Sequence, residues 1–398
     1  MKRHQYLFFA FMLFSFSAAA GDWVAWRGPN ADGISDETGW NPEALANGAQ
    51  VVWSADINYG YAAVAVKDGH VFAIGNDGSQ DTVRCLNAAT GKEIWAFSYP
   101  CASGGGYKGP RASPILNGPA VFTVSQDAQV HCLRADNGAL IWKKNLATEF
   151  GAQAPKWKHA ATPRVLGELL IFNAGKTGLA LKKQTGKKVW GGHPGISGYA
   201  SPLPFKNGNQ TAVAIFAEKE LLAVDTMSGN ILWRFPWETK HDVNAADPLI
   251  VGKDKMFISS GYGRGGAMID FAGGQPRKLW ENKAMSNHFS SSVFMNGFIF
   301  GIDGNAGRGK LTCLDPKDGS VAWEHNTGFG SLLGADGKLI ILNDSGKLMI
   351  ADATGAGYNE HSSAQTPLTK TCWTMPILSN GHLFCRNDKG KLVCIDLR

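Results

Sequence analysis

The sequence lacks the short motifs that mark zinc, redox and membrane-spanning proteins. Its seven cysteines include no Cys-x-x-Cys and no adjacent pair, and its ten histidines show no zinc-ligand spacing. No stretch approaches the about 20 apolar residues that cross a bilayer. Charged residues make up 18% of the chain, and the net charge of +6 is scattered. These absences argue against a local metal motif, a redox dithiol, a membrane span and a nucleic-acid binding surface.

The first twenty residues have the pattern of a secretory signal. Lys2 and Arg3 precede an apolar run of eleven residues from Tyr6 to Phe16. Small residues then lead to Ala20, which predicts cleavage near that position. No cysteine follows the run, so we expect no lipid attachment. The sequence therefore predicts a periplasmic or secreted protein with a signal peptide over residues 1–20.

The chain is rich in glycine, with 49 residues, and in tryptophan, with 13. A phrase recurs along it: a small residue, an aliphatic residue, Asp, two variable residues, Thr or Ser, Gly, three residues and Trp. The copy at 223–233 is the clearest. Successive tryptophans lie 42 to 48 residues apart and are Trp53, Trp95, Trp142, Trp190, Trp233, Trp280 and Trp323.

A period of 40 to 50 residues with four short strands in each unit is typical of a β-propeller blade. Six copies end in Trp, a seventh around Asp352 has none, and an eighth stops after three strands. A strand over Val51–Ile57 would complete that last blade. The sequence thus predicts an all-β, eight-bladed propeller over residues 50–398, closed by an N-terminal strand. Seven blades is the alternative if the unit around Asp352 is degenerate.

Residues 21–49 form a turn-rich extension that is not part of the repeat. Its opening, Trp23-Val24-Ala25-Trp26-Arg27-Gly28-Pro29-Asn30, carries two tryptophans that need cover. We expect this extension to lie across the outside of the domain.

The residues of the phrase have structural roles. Gly accepts positive φ in the turn, Asp bonds the turn backbone, and Trp wedges between blades. Three cysteines in the small opening position, Cys85, Cys132 and Cys313, should be buried side chains. The other cysteines leave alternatives open. Cys385 and Cys394 flank a hairpin turn and could form a disulfide, and Cys101 and Cys372 could pair or stay free.

The phrase resembles the tryptophan-docking repeat of the pyrroloquinoline-quinone (PQQ)-like propellers, and the resemblance covers residues 50–398. That superfamily includes quinoprotein alcohol dehydrogenases and the assembly scaffold BamB. The resemblance implies the fold, but the same propeller hosts both catalysis and scaffolding. The dehydrogenases usually carry an adjacent cysteine pair and a calcium site, and this sequence shows neither. BamB is normally a lipoprotein, and the lipid-bearing cysteine is absent here.

Candidate binding residues come from the loops that lead into the innermost strands, because those loops ring the axial channel. They are Tyr61, Arg111, His159, Tyr199, Asn244, His288 and Trp373. Their side chains could bind an anionic, aromatic or sugar ligand, or could simply fill a water-containing channel. For a quinone, Arg111 would suit the carboxylates and Trp373 the flat ring.

Three functions remain open from the sequence. The favoured one is a non-catalytic binding or scaffold module, BamB-like in the broad sense, with a protein or envelope partner, no cofactor and no catalytic residue assigned. The second is a PQQ- and calcium-dependent dehydrogenase acting on an alcohol or sugar. The third is a carbohydrate-active enzyme, in which a glycan or small ligand binds in the axial channel.

Overall fold

The computed structural model describes residues 21–398, so the predicted signal peptide lies outside the described residues. Strand β1 (Ile34–Ser35) lies in the extension, and β2 (Val51–Asp56) follows it. Together with β2, the later strands form eight four-stranded antiparallel blades of a propeller, and the first strands of neighbouring blades contact each other between blades 1 and 2, 5 and 6, and 6 and 7. First strands therefore face the axis.

Blades 1 to 4 take the chain from residue 65 to residue 236. The strands of blades 1 and 2 are β3 (Ala65–Lys67), β4 (His70–Asn76), β5 (Gln80–Asn87), β6 (Glu93–Pro100), β7 (Ile115–Asn117), β8 (Ala120–Val124), β9 (Gln129–Arg134) and β10 (Leu140–Asn145). A short helix, α1 (Leu146–Phe150), and strand β11 (Ala152–Gln153) follow. The strands of blades 3 and 4 and the β11 partner β16 are β12 (Arg164–Leu166), β13 (Leu169–Phe172), β14 (Leu179–Lys182), β15 (Lys188–Gly191), β16 (Gly195–Ile196), β17 (Leu203–Asn207), β18 (Gln210–Phe216), β19 (Glu220–Asp225) and β20 (Ile231–Pro236).

Blades 5 to 8 complete the ring. The strands of blades 5 and 6 are β21 (Leu249–Val251), β22 (Lys255–Ser260), β23 (Gly265–Asp270), β24 (Arg277–Asn282), β25 (Val293–Met295), β26 (Phe298–Asn305), β27 (Arg308–Leu314) and β28 (Val321–His325). Those of blades 7 and 8 are β29 (Gly330–Ala335), β30 (Lys338–Asn343), β31 (Lys347–Asp352), β32 (Glu360–Gln365), β33 (Ile377–Ser379), β34 (His382–Arg386) and β35 (Lys391–Asp396).

The eighth blade is built from both ends of the chain. Its strand order is β2-β35-β34-β33, with Trp53 opposite Cys394 and Ser54 opposite Val393. The predicted closure by an N-terminal strand is confirmed. The seventh blade, β29 to β32, is complete although it has no tryptophan, so the seven-blade alternative is wrong.

Each tryptophan of the phrase reaches into the next blade. The indole Nε1 of Trp53 donates to the carbonyl of Ala88 at 2.8 Å, and that of Trp95 donates to Ala135 at 2.9 Å. Four later indoles repeat this bond with the next blade, namely Trp142, Trp190, Trp280 and Trp323. Trp233 differs, because its Nε1 donates to the Asn207 side chain and its ring stacks beside Phe271 of the following blade. A small residue lies directly opposite most of these indoles, as Cys85 does for Trp95.

In most of the phrases the glycine lies against the preceding indole. A Cβ placed on Gly91 would stand 2.6 Å from the Trp53 ring, and Gly91 has a φ of +68°. Gly69, in another turn of the same blade, has a φ of +73° and open space around it.

Alanine substitutions at these two glycines separate the energetic cost of backbone strain from that of steric conflict with the indole. We expect Gly69→Ala to lose about 1 kcal/mol of unfolding free energy from the left-handed backbone alone. Gly91→Ala should lose a further 1–3 kcal/mol or so, because the new methyl must displace the Trp53 indole. Urea denaturation of the two variants measures the difference. Equal losses would contradict the wedge geometry.

All seven cysteines are free thiols in the structure. Cys394 lies opposite Phe384, whereas Cys385 lies opposite Val393. Adjacent residues of a strand point to opposite faces, so the two thiols lie on different sides of the sheet. The disulfide considered for this hairpin is therefore not formed, and Cys101 and Cys372 are also free. The phrase cysteines Cys85, Cys132 and Cys313 are buried.

Residues 21–35 lie along the axis of the ring, and we call them the channel plug. Trp23 exchanges two backbone hydrogen bonds of 2.9 Å with Val66 in blade 1. Leu116 of blade 2 donates to the carbonyl of Val24, and β1 pairs with the inner edge of β29 in blade 7. The expectation that the extension lies outside the domain is wrong for this segment. Its tryptophans find their cover inside the channel.

The extension leaves the axis after β1. The Glu37 carboxylate accepts from the amides of Asn380 and Gly381 in the turn of blade 8. Trp40 and Leu45 are then buried against blades 7 and 8, and the Ser362 hydroxyl of the outer strand β32 donates to Pro42. The segment from Trp40 onward thus packs on the outer part of the ring before it becomes β2.

Candidate axial binding site

A cup of about 220 Å³ opens where the chain leads into the innermost strands. The channel plug closes its floor, because Trp26 lines the cup and its indole Nε1 donates to the Asp247 carboxylate at 2.6 Å. The cup is therefore blind at one end. Its wall is made chiefly by Tyr61, Tyr199, Phe289 and Trp373, and its rim by Tyr107, Trp157 and Tyr262.

The wall is a continuous aromatic surface centred on Trp373. Tyr61 stacks on it with ring centroids 5.5 Å apart and planes 26° apart. Phe289 contacts it at 4.9 Å and a tilt of 49°, and Tyr107 at 5.8 Å. The planes vary in tilt, so together they form a bowl and not a parallel-sided slot.

The rim carries aromatic rings that are open to solvent. Tyr107 is 44% exposed, Trp157 40% and Tyr262 38%. One other aromatic side chain among residues 21–398 is exposed to this degree, that of Tyr59. It lies beside the loop that carries Tyr107 but does not line the cup. Exposed aromatic residues are costly in water and mark interaction sites when they gather in one place.

Arg111 fastens a loop over one side of the cup. Its Nη2 donates to the carbonyl of Tyr107 at 2.9 Å, and its Nη1 donates to that of Gly109 at 3.3 Å. Burial lowers the pKa of Arg111, although the group keeps its charge. These bonds fold the glycine-rich insertion over residues 103–109 against the wall. The insertion thereby brings Tyr107, which sequence reasoning did not single out, to the rim.

Three of the candidate residues are ionisable or polar groups that are largely withdrawn from solvent. His288 lines the cup, its Nδ1 accepts a long bond of 3.5 Å from the Ala306 amide, and burial lowers its pKa to about 4. His159 is buried beneath the lining, where desolvation also lowers its pKa to about 4. Asn244 is fully buried and donates to the carbonyls of Ala217 and Trp237. The structure therefore brings Arg111, Tyr199, His288 and Trp373 to the cup, but not His159 or Asn244.

Asp247 is the carboxylate of the cup floor. Its Oδ1 accepts from the Ser201 amide at 2.6 Å and its Oδ2 from Trp26, while Arg27 approaches to 3.8 Å. Burial raises the pKa of Asp247, and the Arg27 charge opposes that shift. Among the described residues, no cluster of three His, Cys, Asp or Glu side chains is placed to hold a metal ion.

Several lining residues carried little signal in the sequence. Trp26 belongs to the extension, Trp157 to the loop before blade 3, and Tyr262 to the turn Gly261-Tyr262-Gly263. Trp26 and Trp157 were visible as tryptophans outside the repeated phrase. That position was the one clue that they serve something other than blade docking.

Neutral buried histidines predict a loss of stability in acid. The pKa of His159 in the folded chain lies below its ordinary value of 6.5, so the unfolded chain binds the extra proton first. Stability is therefore present above about pH 6.5 and falls as the pH drops towards 4. We expect His159→Gln to reduce the pH slope of the unfolding free energy by up to about 1.4 kcal/mol per pH unit in that window. Urea midpoints at several pH values measure this slope, with a substitution of the exposed histidine, His193→Gln, as the control. An unchanged slope in His159→Gln would contradict the prediction.

The fold and the docked indoles define an eight-bladed propeller of the PQQ-like class. A family model described as outer membrane protein assembly factor BamB matches residues 79–325, which is more than half of the chain. The chain belongs to that family. It is 24% identical to the assembly factor BamB of Escherichia coli K12 over 348 residues, covering 84% of this chain and 73% of the relative. Identity to the BamB of Moranella endobia is 21%, with coverage of 77% and 80%.

Solved structures show the same architecture in proteins of different function. BamB from Moraxella catarrhalis superposes with a TM-score of 0.64 at 15% identity, covering 87% of this chain and 97% of that one. The quinohemoprotein alcohol dehydrogenase of Comamonas testosteroni gives 0.71 at 13% identity, covering 94% and 80%. These likenesses concern the fold alone. In residues 21–398 no helix has the length and apolarity needed to cross a bilayer.

Proposed function

We propose that this protein is a non-catalytic binding module of the cell envelope, exported by its signal peptide, that engages a partner through the axial cup. The observation that carries the proposal is that the residues that hold the cup together differ from those that it exposes. The Arg111 Nη atoms and both Asp247 oxygens make hydrogen bonds that hold the cup together, while the exposed groups are aromatic rings gathered at its rim. Such a surface is suited to binding, because its anchors are apolar and already ordered.

Membership in the BamB family supports a role among envelope components. The relatives are described as outer membrane protein assembly factors. An ordered binding surface that performs no catalysis is compatible with such an assembly role. We extend that role to this chain as part of the proposal.

The cup residues do not suit a PQQ–calcium pair. Calcium takes six to eight oxygen ligands or so, several of them carboxylates. The lining offers the carboxylate of Asp247, and both of its oxygens already accept hydrogen bonds from Ser201 and Trp26. The aromatic planes also form a bowl, where a flat tricyclic ring needs parallel faces. We therefore propose that the protein acts without this cofactor.

Photo-crosslinking tests the binding role. The full chain carries p-benzoylphenylalanine in place of Tyr107, or in place of the exposed Met227 on the turn of blade 4 as the control. After irradiation with the envelope fraction of the source organism, we expect a discrete adduct from position 107 and none from position 227. Equal or absent adducts would remove the proposal.

Calorimetry and a dye-linked oxidation assay test the non-catalytic part. We expect no heat of PQQ binding with or without calcium, and no substrate-dependent dye reduction after both are added. Saturable PQQ binding that is lost in Arg111→Ala, together with turnover, would establish the dehydrogenase alternative instead.

A further inference from the structure

The cup is shaped for the end of a chain-like ligand. Trp26 closes the floor, so a ligand that enters from the rim cannot pass through the ring. The volume of about 220 Å³ lies below the roughly 300–1,000 Å³ of most small-molecule pockets, so it suits a single ring-sized group. Further units of the ligand would lie over the rim, where Tyr107, Trp157 and Tyr262 are exposed.

The orientation of the rings distinguishes among ligand chemistries. A planar aromatic ligand is held best between parallel faces, whereas Tyr107 and Trp157 meet at 86° and Tyr262 and His288 at 70°. A peptide strand pairs with a sheet edge. The cup is lined instead by residues that precede the innermost strands, such as Thr162, Asp247 and Thr374. A puckered ring that has apolar C–H faces and a belt of hydroxyls fits tilted aromatic walls.

Side-chain hydrogen-bond donors are available for the hydroxyl groups of such a ring. His288 accepts at Nδ1, which places the proton of the neutral imidazole on Nε2 as a donor. Arg111 uses its Nη atoms to hold the rim loop, and its Nε–H remains available as a further donor. Aromatic faces and scattered donors are thus combined in one bowl.

We infer that the axial cup binds a carbohydrate chain by its terminal sugar ring, with the next rings stacked on the aromatic rim. The inference rests on the proposed binding function of the cup and names its ligand class. The shared chemistry is the pyranose ring, whether it comes from a neutral, an N-acetylated or an acidic glycan. No bond is formed or broken.

A glycan array that spans neutral, N-acetylated and acidic chains tests the inference with the purified mature protein. We expect binding to glycans that share a terminal sugar, and saturable quenching of tryptophan fluorescence on titration with the matching trisaccharide. A capped form that carries a bulky group on the terminal ring should not bind, because the cup is blind.

Two variants locate the binding. Trp157→Ala, at the exposed rim, should weaken trisaccharide binding roughly tenfold through loss of ring stacking. Tyr59→Ala removes an equally exposed aromatic residue outside the lining and should leave binding unchanged. Circular dichroism checks that both variants fold.

The outcomes separate this inference from the proposed function. An array without any binding, or binding that Trp157→Ala leaves intact, overturns the carbohydrate inference. If the Tyr107 position nevertheless crosslinks to a polypeptide, the cup is a protein-binding site and the proposed function stands. If neither glycan nor adduct is found, both proposals fall.

Discussion

Replacement of Arg27 by Met is expected to cost about 3–5 kcal/mol of unfolding free energy, because it leaves a buried carboxylate without its counter-charge. Arg27 is 1% exposed and lies 3.8 Å from the equally buried Asp247. It also donates to the backbone carbonyls of Asp32 and Ser292, which joins the channel plug to blade 6. Loss of the guanidinium therefore loosens the plug and removes the nearest positive charge from the buried Asp247 carboxylate.

Chemical denaturation of the purified protein measures the loss of unfolding free energy. The pH dependence of that loss shows whether it comes from the Asp247 carboxylate. Burial raises the pKa of Asp247 above its unfolded value, so the folded chain takes up the proton first as the pH falls. Removal of Arg27 raises that pKa further, so the stability deficit of Arg27→Met should shrink as the pH falls from neutral into the acid range. The double variant Arg27→Met with Asp247→Asn should recover stability and lose this pH dependence.

A surface ion pair provides the control. Arg234 pairs with Glu220 on blade 4 and is 45% exposed. Arg234→Met should change stability by at most about 1 kcal/mol. If Arg27→Met behaves like Arg234→Met, the channel plug does not depend on its buried pair.

Substitution of Trp53 by Ala should lower the unfolding free energy by about 3–5 kcal/mol. It removes a large buried ring from the contact between the last blade and the first, which we call the seam of the propeller. The indole packs on Gly91 of blade 1, donates to Ala88 and lies 5.9 Å from the Phe384 ring. It thus packs the last blade against the first, beside the segment 57–64 by which the chain passes from β2 to β3.

The neighbouring residue on β2 is the matched control for Trp53. Val52 is 44% exposed, so Val52→Ala should cost well under 1 kcal/mol. Urea midpoints compare the two variants, and limited proteolysis should release the N-terminal segment from Trp53→Ala first. A loss no larger than that of Val52→Ala would mean that the indole does not hold the seam.

The propeller ring was predictable from the sequence because each blade is specified by a short sequence pattern that repeats along the chain. Each phrase places a glycine, a small residue and an indole at fixed offsets. The indole then lies opposite the small residue of its own blade and against the glycine of the next blade, as Trp95 does with Cys85 and Gly138. The seventh blade could be counted without its tryptophan because its turns and strands kept the same order. Repetition thus gave both the class of fold and the way in which the ring closes.

The channel plug could not be placed from the sequence, because its partners come from distant blades. Nothing local to Arg27 indicates that it meets Asp247, and nothing near Trp26 indicates an axial floor. The cup was foreseen in part, since loops that lead into innermost strands must converge. Whether a residue in such a loop turns into the channel, as Trp373 does, or into the core, as Asn244 does, depends on packing that no local pattern encodes.

The pairing of β2 with β35 sets the order of events during synthesis. The segment that leaves the ribosome early has no sheet partner until residues Lys391–Asp396 have been made. The same delay applies to the channel plug, whose contacts include blades 6 and 7. The circle can therefore close only after translation of the last strand, and contacts of such long sequence separation make for slow folding. Until then, Trp23, Trp40 and Trp53 lack part of the core that covers them in the finished protein, and such exposed apolar surface favours aggregation.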